Sequence, residues 1–212
     1  MPSKKGLCQN WKLYVITQPG PDLTEKVREA ILGGADVIQL RDKNATDEDL
    51  TRQAKKLLRV AHSLGVPLLV NDRAAVASAA GADGVHLGQE DGPLNIAKVL
   101  LGNNAIIGRS THSPEQAFAA EKEGFDYIGV GPVFETPTKA GRTAVGLDAV
   151  RSAAQNVRIP FVAIGGIDSG NIRQVMRAGA RACAVVRAVL GSADPRCSAR
   201  LLKTSLEGKR LE

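Results

Sequence analysis

Eight short apolar runs, each followed by a segment with helical spacing, constrain the fold of this 212-residue chain more than any other feature. Most of the runs are bounded by Gly, Pro, Asn or Asp, as buried strands usually are. The predicted strands are residues 13–17, 37–41, 67–71, 84–87, 105–110, 127–131, 161–165 and 182–186. Because strands that alternate with helices run parallel, the pattern predicts a parallel sheet covered by helices.

The segments between the runs repeat apolar residues every three or four positions, which indicates amphipathic helices. Two such faces are Leu23, Val27, Ala30 and Ile31, and Leu50, Ala54, Leu57, Leu58 and Ala61. Asp22 with Glu25 and Ser113 with Gln116 are predicted capping pairs at helix starts. Asp194 before a proline predicts the start of the last helix in the same way.

Eight strand–helix units in 212 residues predict an α/β fold, a single (β/α)₈ TIM barrel over residues 1–212. A short lead-in, residues 1–11, precedes the barrel, and a polar tail, residues 207–212, follows it. The alternative architecture is a doubly wound open sheet.

Composition narrows the class of protein. Apolar residues form 43% of the chain and charged residues 24%, which is typical of a globular domain. The net charge of +6 is spread along the chain and aromatic residues form only 3%, which favours small anionic substrates over nucleic acid. No apolar run is long enough to cross a membrane. Oligomeric state is left open, and a homo-oligomer is compatible with the sequence.

The three cysteines are Cys8, Cys183 and Cys197. Their number is odd and they show no C-x-x-C spacing, so we expect neither a disulfide framework nor a zinc site. This usage favours a reducing compartment, the cytoplasm. Cys183 lies in a predicted strand and is expected in the core.

Catalytic residues of a barrel lie at the carboxyl ends of its strands, and polar residues cluster there in this sequence. Gln39, Arg41 and Lys43 alternate, so in an extended strand their side chains share one face. Cations grouped at a barrel mouth are costly unless they meet anions. The pattern predicts an anion site there, and solvated strand ends are the alternative.

Two carboxylates, Asp72 and Asp91, follow the neighbouring third and fourth strands. Mg²⁺ retains several waters and takes one or two protein carboxylates together with substrate phosphate, so the pair predicts a magnesium site. The alternatives are helix capping by Asp72 and a solvated loop for Asp91. Glu90 competes for the same role.

A second phosphate site is predicted where glycines follow the seventh strand, at Gly165 and Gly166, because their backbone N–H groups can approach an anion. A long polar loop follows the sixth strand and is a candidate lid. Its residues include Thr136, Pro137, Thr138, Lys139, Gly141, Arg142 and Thr143. His62 and His86 are expected to be structural, whereas His112 lies nearer the rim.

Taken together, these segments resemble the thiamine-phosphate synthase family. The matching strings span nearly the whole chain in order. They are LYVIT from Leu13, QLRDK from Gln39, VND from Val70, GVHLGQED from Gly84, GPVF from Gly131 with TPTK from Thr136, and AIGGI from Ala163.

The resemblance implies the coupling of hydroxymethylpyrimidine diphosphate to a thiazole phosphate, giving thiamine phosphate and pyrophosphate. When the thiazole enters carboxylated, CO₂ also leaves. It implies Mg²⁺ on Asp72 and Asp91, and catalytic roles for Arg41, Lys43, Ser110 and Lys139. The pyrimidine diphosphate would contact Gln39, Arg41, Lys43, Asn71, Ser110 and Lys139. The thiazole phosphate would lie near Thr136, Thr138, Gly166, Val186 and Arg187. Leu40, Asp42 and Pro137 complete the implied substrate-binding set.

One residue departs from the family pattern, which often has a small residue such as Ser at the position of Arg187. Arg187 either adds a charge to the phosphate site or points away from it. Two alternatives to the synthase remain. A related thiazole tautomerase would use His112 as acid and base, and a barrel without activity would bind a thiamine precursor for regulation.

Overall fold

The strands close into a parallel eight-stranded barrel in which every strand pairs with its neighbours in chain order. The structure, a computed structural model, describes residues 4–136 and 143–208. The strands are β1 Leu13–Ile16, β2 Val37–Leu40, β3 Leu68–Asn71, β4 Gly84–Leu87, β5 Ile106–Thr111, β6 Tyr127–Val130, β7 Phe161–Ile164 and β8 Cys183–Val185. The last strand pairs with the first through Leu13 and Cys183, which closes the barrel.

Helices cover the outside of this barrel. They are α1 Leu23–Leu32, α2 Asp47–Ser63, α3 Ala74–Ala80, α4 Leu94–Leu101, α5 Pro114–Glu123, α6 Gly146–Asn156, α7 Ile172–Arg177, α8 Arg187–Leu190 and α9 Pro195–Leu206. A 3₁₀ segment, Lys4–Asn10, precedes β1. Within the described residues, no helix has the length and apolar character that a bilayer span requires.

The predicted TIM barrel is confirmed, and the open sheet is excluded by the pairing of β1 with β8. Each observed strand end lies within one residue of its prediction. The predicted apolar faces of α1 and α2 are the buried faces of these helices.

The predicted helix starts have mixed outcomes. The side chains of Ser113 and Asp194 cap α5 and α9 by accepting backbone hydrogen bonds. Asp22 makes no capping bond, because it adopts a left-handed conformation with φ 55°, so that prediction is wrong. Gln116 accepts from the backbone N–H of His112, one residue before the position that a capping box requires.

Side-chain alternation along the strands divides the core into two clusters. Leu13 and Val15 point outward and pack with the helices, whereas Tyr14 and Ile16 point into the barrel. The inner cluster also contains Cys8 and Trp11 from the lead-in, which are only 3% and 4% exposed. The lead-in therefore closes the amino end of the barrel.

A repeated Gly-x-Asp tripeptide organises the same end. The aspartates Asp36, Asp83 and Asp126 each precede an even-numbered strand, and each accepts backbone N–H bonds from the start of the preceding odd-numbered strand. The glycine of each tripeptide has positive φ, which lets the chain turn sharply from helix to strand. At the fourth repeat, Arg181 replaces the aspartate.

Candidate active site

A cavity of about 330 Å³ opens at the carboxyl ends of the strands, where barrel enzymes carry their chemistry. Small inward residues make room for it, among them Gly129 on β6 and Ala184 on β8. The predicted site residues that line it are Gln39, Arg41, Asn71, Ser110, Thr136, Gly166, Val186 and Arg187.

The cavity floor is a network of buried polar side chains. Gln39 Nε2 donates to the Tyr14 hydroxyl at 2.8 Å, and the hydroxyls of Tyr14 and Tyr127 lie 2.9 Å apart. His86 bridges onward, with Nδ1 2.8 Å from the Tyr127 hydroxyl and Nε2 2.9 Å from Ser110 Oγ. Burial raises the pKa of both tyrosines, so both stay neutral.

The rim beside β2, β3 and β4 carries the predicted cations and carboxylates. Lys43 Nζ lies 3.7 Å from Asp72 Oδ2. A Cβ at Gly88 would lie 2.6 Å from Asp91 Oδ2 and 4.0 Å from Asp72 Oδ1, so the two carboxylates flank one stretch of backbone. The N–H of Gly88 donates to Asp91 at 2.7 Å.

The Asp72 carboxylate is disfavoured in this setting. Burial and, after it, the neighbouring Asp91 raise its pKa from 3.8 to about 6, against the opposing effect of Lys43 and Arg41. Asp72 also has φ 64°, a conformation that Asn and Asp tolerate better than other side chains. Asp72 does not cap α3, which starts from Arg73 without a side-chain cap.

These two carboxylates fit a divalent cation, because a cation would offset the burial and the repulsion that together raise the Asp72 pKa. In the part of the chain that the structure describes, no group of three or more acidic, His or Cys ligands is found. A pair of carboxylates suits Mg²⁺, which completes its shell with water and phosphate. Glu90 and Asp91 are both exposed, and Asp91 is favoured because it accepts the Gly88 N–H and lies beside Asp72.

Two arginines hold the loops that carry the charged rim. Arg73 donates to the carbonyl oxygens of Lys43 and Ala45, at 3.0 and 2.6 Å. Arg109 donates to the carbonyls of Gln89 and Gly92 in the loop that contains Asp91. The rim is thus preorganised by bonds from the neighbouring strand ends.

The opposite side of the cavity is formed by backbone. Gly165 and Gly166 have φ 106° and 65°, and a Cβ at Gly166 would meet Glu135 O at 2.8 Å. The side chain of Asn171 donates to Gly166 O at 2.7 Å and fixes this turn. Arg187 follows β8 at the same side, and its side chain is exposed.

The structure does not bring every predicted residue to the cavity. Leu40 is fully buried in the outer core cluster, because it points away from the barrel interior. Asp42 accepts the N–H groups of Asn44 and Ala45 in its own loop. Pro137, Thr138 and Lys139 lie outside the described residues.

Part of the cavity floor is formed by residues that the sequence did not identify as site residues. His86 was expected to be structural, yet it lines the cavity together with Tyr14 and Tyr127. The available signal was strand parity, because Tyr14 lies two residues before Ile16 on the inward face and Tyr127 two before Gly129. Polar groups at inward positions beside glycines indicate a cavity instead of a filled core.

Comparison with known proteins gives a consistent assignment. The family model described as thiamine monophosphate synthase matches residues 13–189. A thiamine-phosphate synthase of Thermus thermophilus is 46% identical over 204 residues, covering 93% of this chain and 98% of that protein. A thiamine-phosphate synthase of Nostoc punctiforme is 47% identical over 195 residues, covering 92% of this chain but 56% of that protein. This chain spans about half the length of that relative and of four others like it.

Comparison with solved structures gives the same family assignment. Thiamine phosphate pyrophosphorylase from Pyrococcus furiosus superimposes with a TM-score of 0.87 at 42% identity, covering 95% of this chain and 98% of that one. Orotidine 5'-phosphate decarboxylase from Pyrococcus horikoshii, at 14% identity and a TM-score of 0.66, shares the fold alone. Through the family match and its relatives, this chain belongs to the thiamine monophosphate synthase family.

Proposed function

We propose that this chain is a thiamine-phosphate synthase, a transferase that joins a pyrimidine diphosphate to a thiazole phosphate and releases pyrophosphate. The observation that carries the proposal is one cavity with a polar floor, a rim of opposed charges and a glycine turn across from it. The relatives that match nearly end to end support the same activity.

The rim would receive the diphosphate. Arg41 faces the cavity and Lys43 lies beside Asp72, which supports a role for both cations in stabilising the charge of a departing diphosphate. Asp72 and Asp91 would hold Mg²⁺, which supplies Lewis acidity to the leaving group when bound. Preorganised charge of this kind is usually the largest single contribution to catalysis.

The proposed reaction needs no base to activate its nucleophile. The bond between the pyrimidine methylene carbon and the diphosphate oxygen breaks, and the electron pair leaves with the diphosphate. The thiazole nitrogen then forms the new C–N bond with its own lone pair. The residues that line the cavity therefore bind, orient and stabilise charge.

The thiazole phosphate would bind at the opposite side, at the backbone of Gly166 and the start of α8. Thr136 lines the cavity there as well. Lys139 and Thr138 remain part of the proposed site from the sequence. We also place the reaction in the cytoplasm, because all three cysteines are free and Cys8 and Cys183 are buried as thiols.

The tautomerase alternative rests on His112, which lines the cavity. Its Nδ1 contacts the carbonyl oxygen of Gly131, which fixes the ring. A tautomerase would isomerise the thiazole without using the pyrimidine. The two activities are therefore separable in one assay.

The test mixes purified protein with both substrates and Mg²⁺, and follows pyrophosphate and thiamine phosphate. We expect both products in equal amounts. Arg41→Gln should reduce the rate, while Arg151→Gln, at an exposed pair with Asp148 on α6, should not. Isomerised thiazole without coupling would instead establish the tautomerase, and bound substrate without any product would establish the regulator.

A further inference from the structure

A continuous chain of hydrogen bonds crosses the cavity floor and joins two residues of the proposed pyrimidine diphosphate site. It runs from Gln39 through Tyr14, Tyr127 and His86 to Ser110, with every step between 2.8 and 2.9 Å. Trp11 packs edge-on against both tyrosine rings, at 5.6 and 5.1 Å between centroids, and holds them in place.

Counting hydrogens gives this chain a direction. The Tyr14 oxygen accepts from Gln39 Nε2, and its other hydrogen-bond contact is the Tyr127 hydroxyl, so we assign its own hydrogen to the bond with Tyr127. Tyr127 has one hydrogen, which is then donated to His86 Nδ1. A neutral His86 with an acceptor at Nδ1 carries its hydrogen on Nε2, and donates it to Ser110 Oγ.

Both ends of this hydrogen-bond chain open onto the cavity. Gln39 Oε1 makes no hydrogen bond with any described residue, and no buried side-chain oxygen or nitrogen among those residues is unsatisfied. Gln39 Oε1 is therefore accessible from the cavity that its residue lines. At the other end, Ser110 accepts from His86, so its own hydroxyl hydrogen is available to a ligand.

We propose that Tyr14, Tyr127 and His86 are positioning residues that fix opposite polarities at the two ends of the chain. Gln39 presents a hydrogen-bond acceptor, and Ser110 presents a donor. The acceptor selects a ring that offers an N–H, such as an exocyclic amino group, over a ring with a carbonyl at that position. The donor suits an anionic oxygen of the diphosphate. This substrate choice rests on the function proposed above.

The hydrogen-bond chain also couples the orientation of Gln39 to that of Ser110. If Gln39 turned its amide to present N–H, Tyr14 would donate to Oε1, and each following bond would reverse. Ser110 would then donate to His86 and present only lone pairs to the diphosphate. A ring with the wrong substituent therefore costs a hydrogen bond at the distant end as well.

The first test measures the tautomer of His86 directly, without substrate or turnover. Nitrogen-15 shifts of the imidazole ring distinguish a hydrogen on Nε2 from one on Nδ1, and the resonance is assigned by its loss in His86→Asn. We expect a neutral ring with hydrogen on Nε2. A neutral ring with hydrogen on Nδ1, or a ring with hydrogen on both nitrogens, would overturn the proposed polarity.

The second test measures selectivity. We compare kcat/KM for the aminopyrimidine diphosphate with that for its oxo analogue, so that intrinsic reactivity cancels between variants. Tyr127→Phe keeps the ring but breaks the chain, and should reduce the amino preference about tenfold or more. Tyr14→Phe, which removes the acceptor for Gln39, should act in the same direction.

Thr111→Val is the matched control. It removes a buried hydroxyl from the residue next to Ser110, one that bonds Gly129 O on the outer face of the barrel. Its amino preference should equal that of the wild type, and an unchanged preference in both Tyr→Phe variants would refute the positioning role. If the wild type couples neither substrate, the proposed function fails, while the tautomer still decides the polarity.

Discussion

The two ends of the barrel both carry buried or half-buried aspartates, but these aspartates have opposite electrostatic surroundings. At the amino end, Asp83 is 5% exposed and accepts the Leu68 N–H at 2.9 Å and a bond from His62. At the carboxyl end, burial and the neighbouring Asp91 carboxylate raise the pKa of Asp72 to about 6. The Asp83 charge is satisfied within the fold, whereas the Asp72 charge is only partly offset, by Lys43 at 3.7 Å.

This difference separates stability from function in one fold. Carboxylates that accept strand N–H groups hold the barrel together, because an unsatisfied buried donor is costly. Carboxylates that repel each other destabilise the free protein and favour binding of a cation. Substitutions at the amino end should therefore change stability, and substitutions at the carboxyl end should change activity.

The largest expected effect is on catalysis at the carboxyl end. Asp91→Asn should slow pyrophosphate release by roughly 10²–10³ at limiting Mg²⁺, by analogy with the loss of one preorganised electrostatic partner. Asp72→Asn should act similarly, and Asn retains the tolerance for φ 64° that Ala lacks. Steady-state rates over a magnesium titration check this. Wild-type rates in both variants would remove the metal assignment.

The next effect is on stability at the amino end. Asp83→Ala leaves the buried Leu68 N–H without its acceptor, and should lower the free energy of unfolding by about 1–3 kcal/mol. Denaturant unfolding measures this loss, and the rate per folded molecule should match that of the wild type. A large loss of rate without a loss of stability would break the comparison between the ends.

A smaller effect on the free energy of unfolding has the opposite sign, because the substitution of Asp72 should stabilise the protein. Because the raised pKa of Asp72 disfavours its ionised form in the folded protein, the penalty is present above pH 6 and disappears as pH falls towards 4. Without Mg²⁺, Asp72→Asn should raise the free energy of unfolding by about 1–2 kcal/mol at pH 8 and leave it unchanged at pH 4. Equal stability of variant and wild type at pH 8 would contradict an unfavourable, partly buried Asp72 charge beside Asp91.

The smallest effect concerns Arg187, whose exposed side chain lies at the glycine side of the cavity. Arg187→Ser should raise KM for the thiazole phosphate about threefold and leave KM for the pyrimidine diphosphate unchanged, because an exposed charge contributes little in water. Steady-state kinetics with each substrate varied in turn checks this. An unchanged KM for the thiazole phosphate would show that Arg187 points away from it.

The sequence predicted the strands, helices and barrel topology better than the hydrogen bonds between them. Strand parity and helical spacing are local patterns, so the eight strands and the buried faces of α1 and α2 followed from them. The Asp22 cap failed because its left-handed backbone depends on the turn before α1. The bonds from Arg73 and Arg109 to neighbouring loops depend on contacts between different strand ends, which local patterns do not contain.

The candidate site divides in the same way. Gln39 and Arg41 were predicted because polar residues at strand ends meet at one edge of a parallel barrel, whereas Asn71 and Ser110 followed from the family resemblance. The chain from Tyr14 to His86 was not, because it depends on where inward side chains meet across the barrel. Leu40 and Asp42 came with the matching string around Arg41, although their side chains face the outer core and the loop.

The most direct test of the opposed ends is the binding of inorganic pyrophosphate, measured by calorimetry with and without Mg²⁺. The account predicts binding that requires Mg²⁺, weakens strongly in Asp91→Asn and Arg41→Gln, and persists in folded Asp83→Ala. Binding that does not require Mg²⁺ and is unchanged in Asp91→Asn and Arg41→Gln would contradict this difference between the two ends.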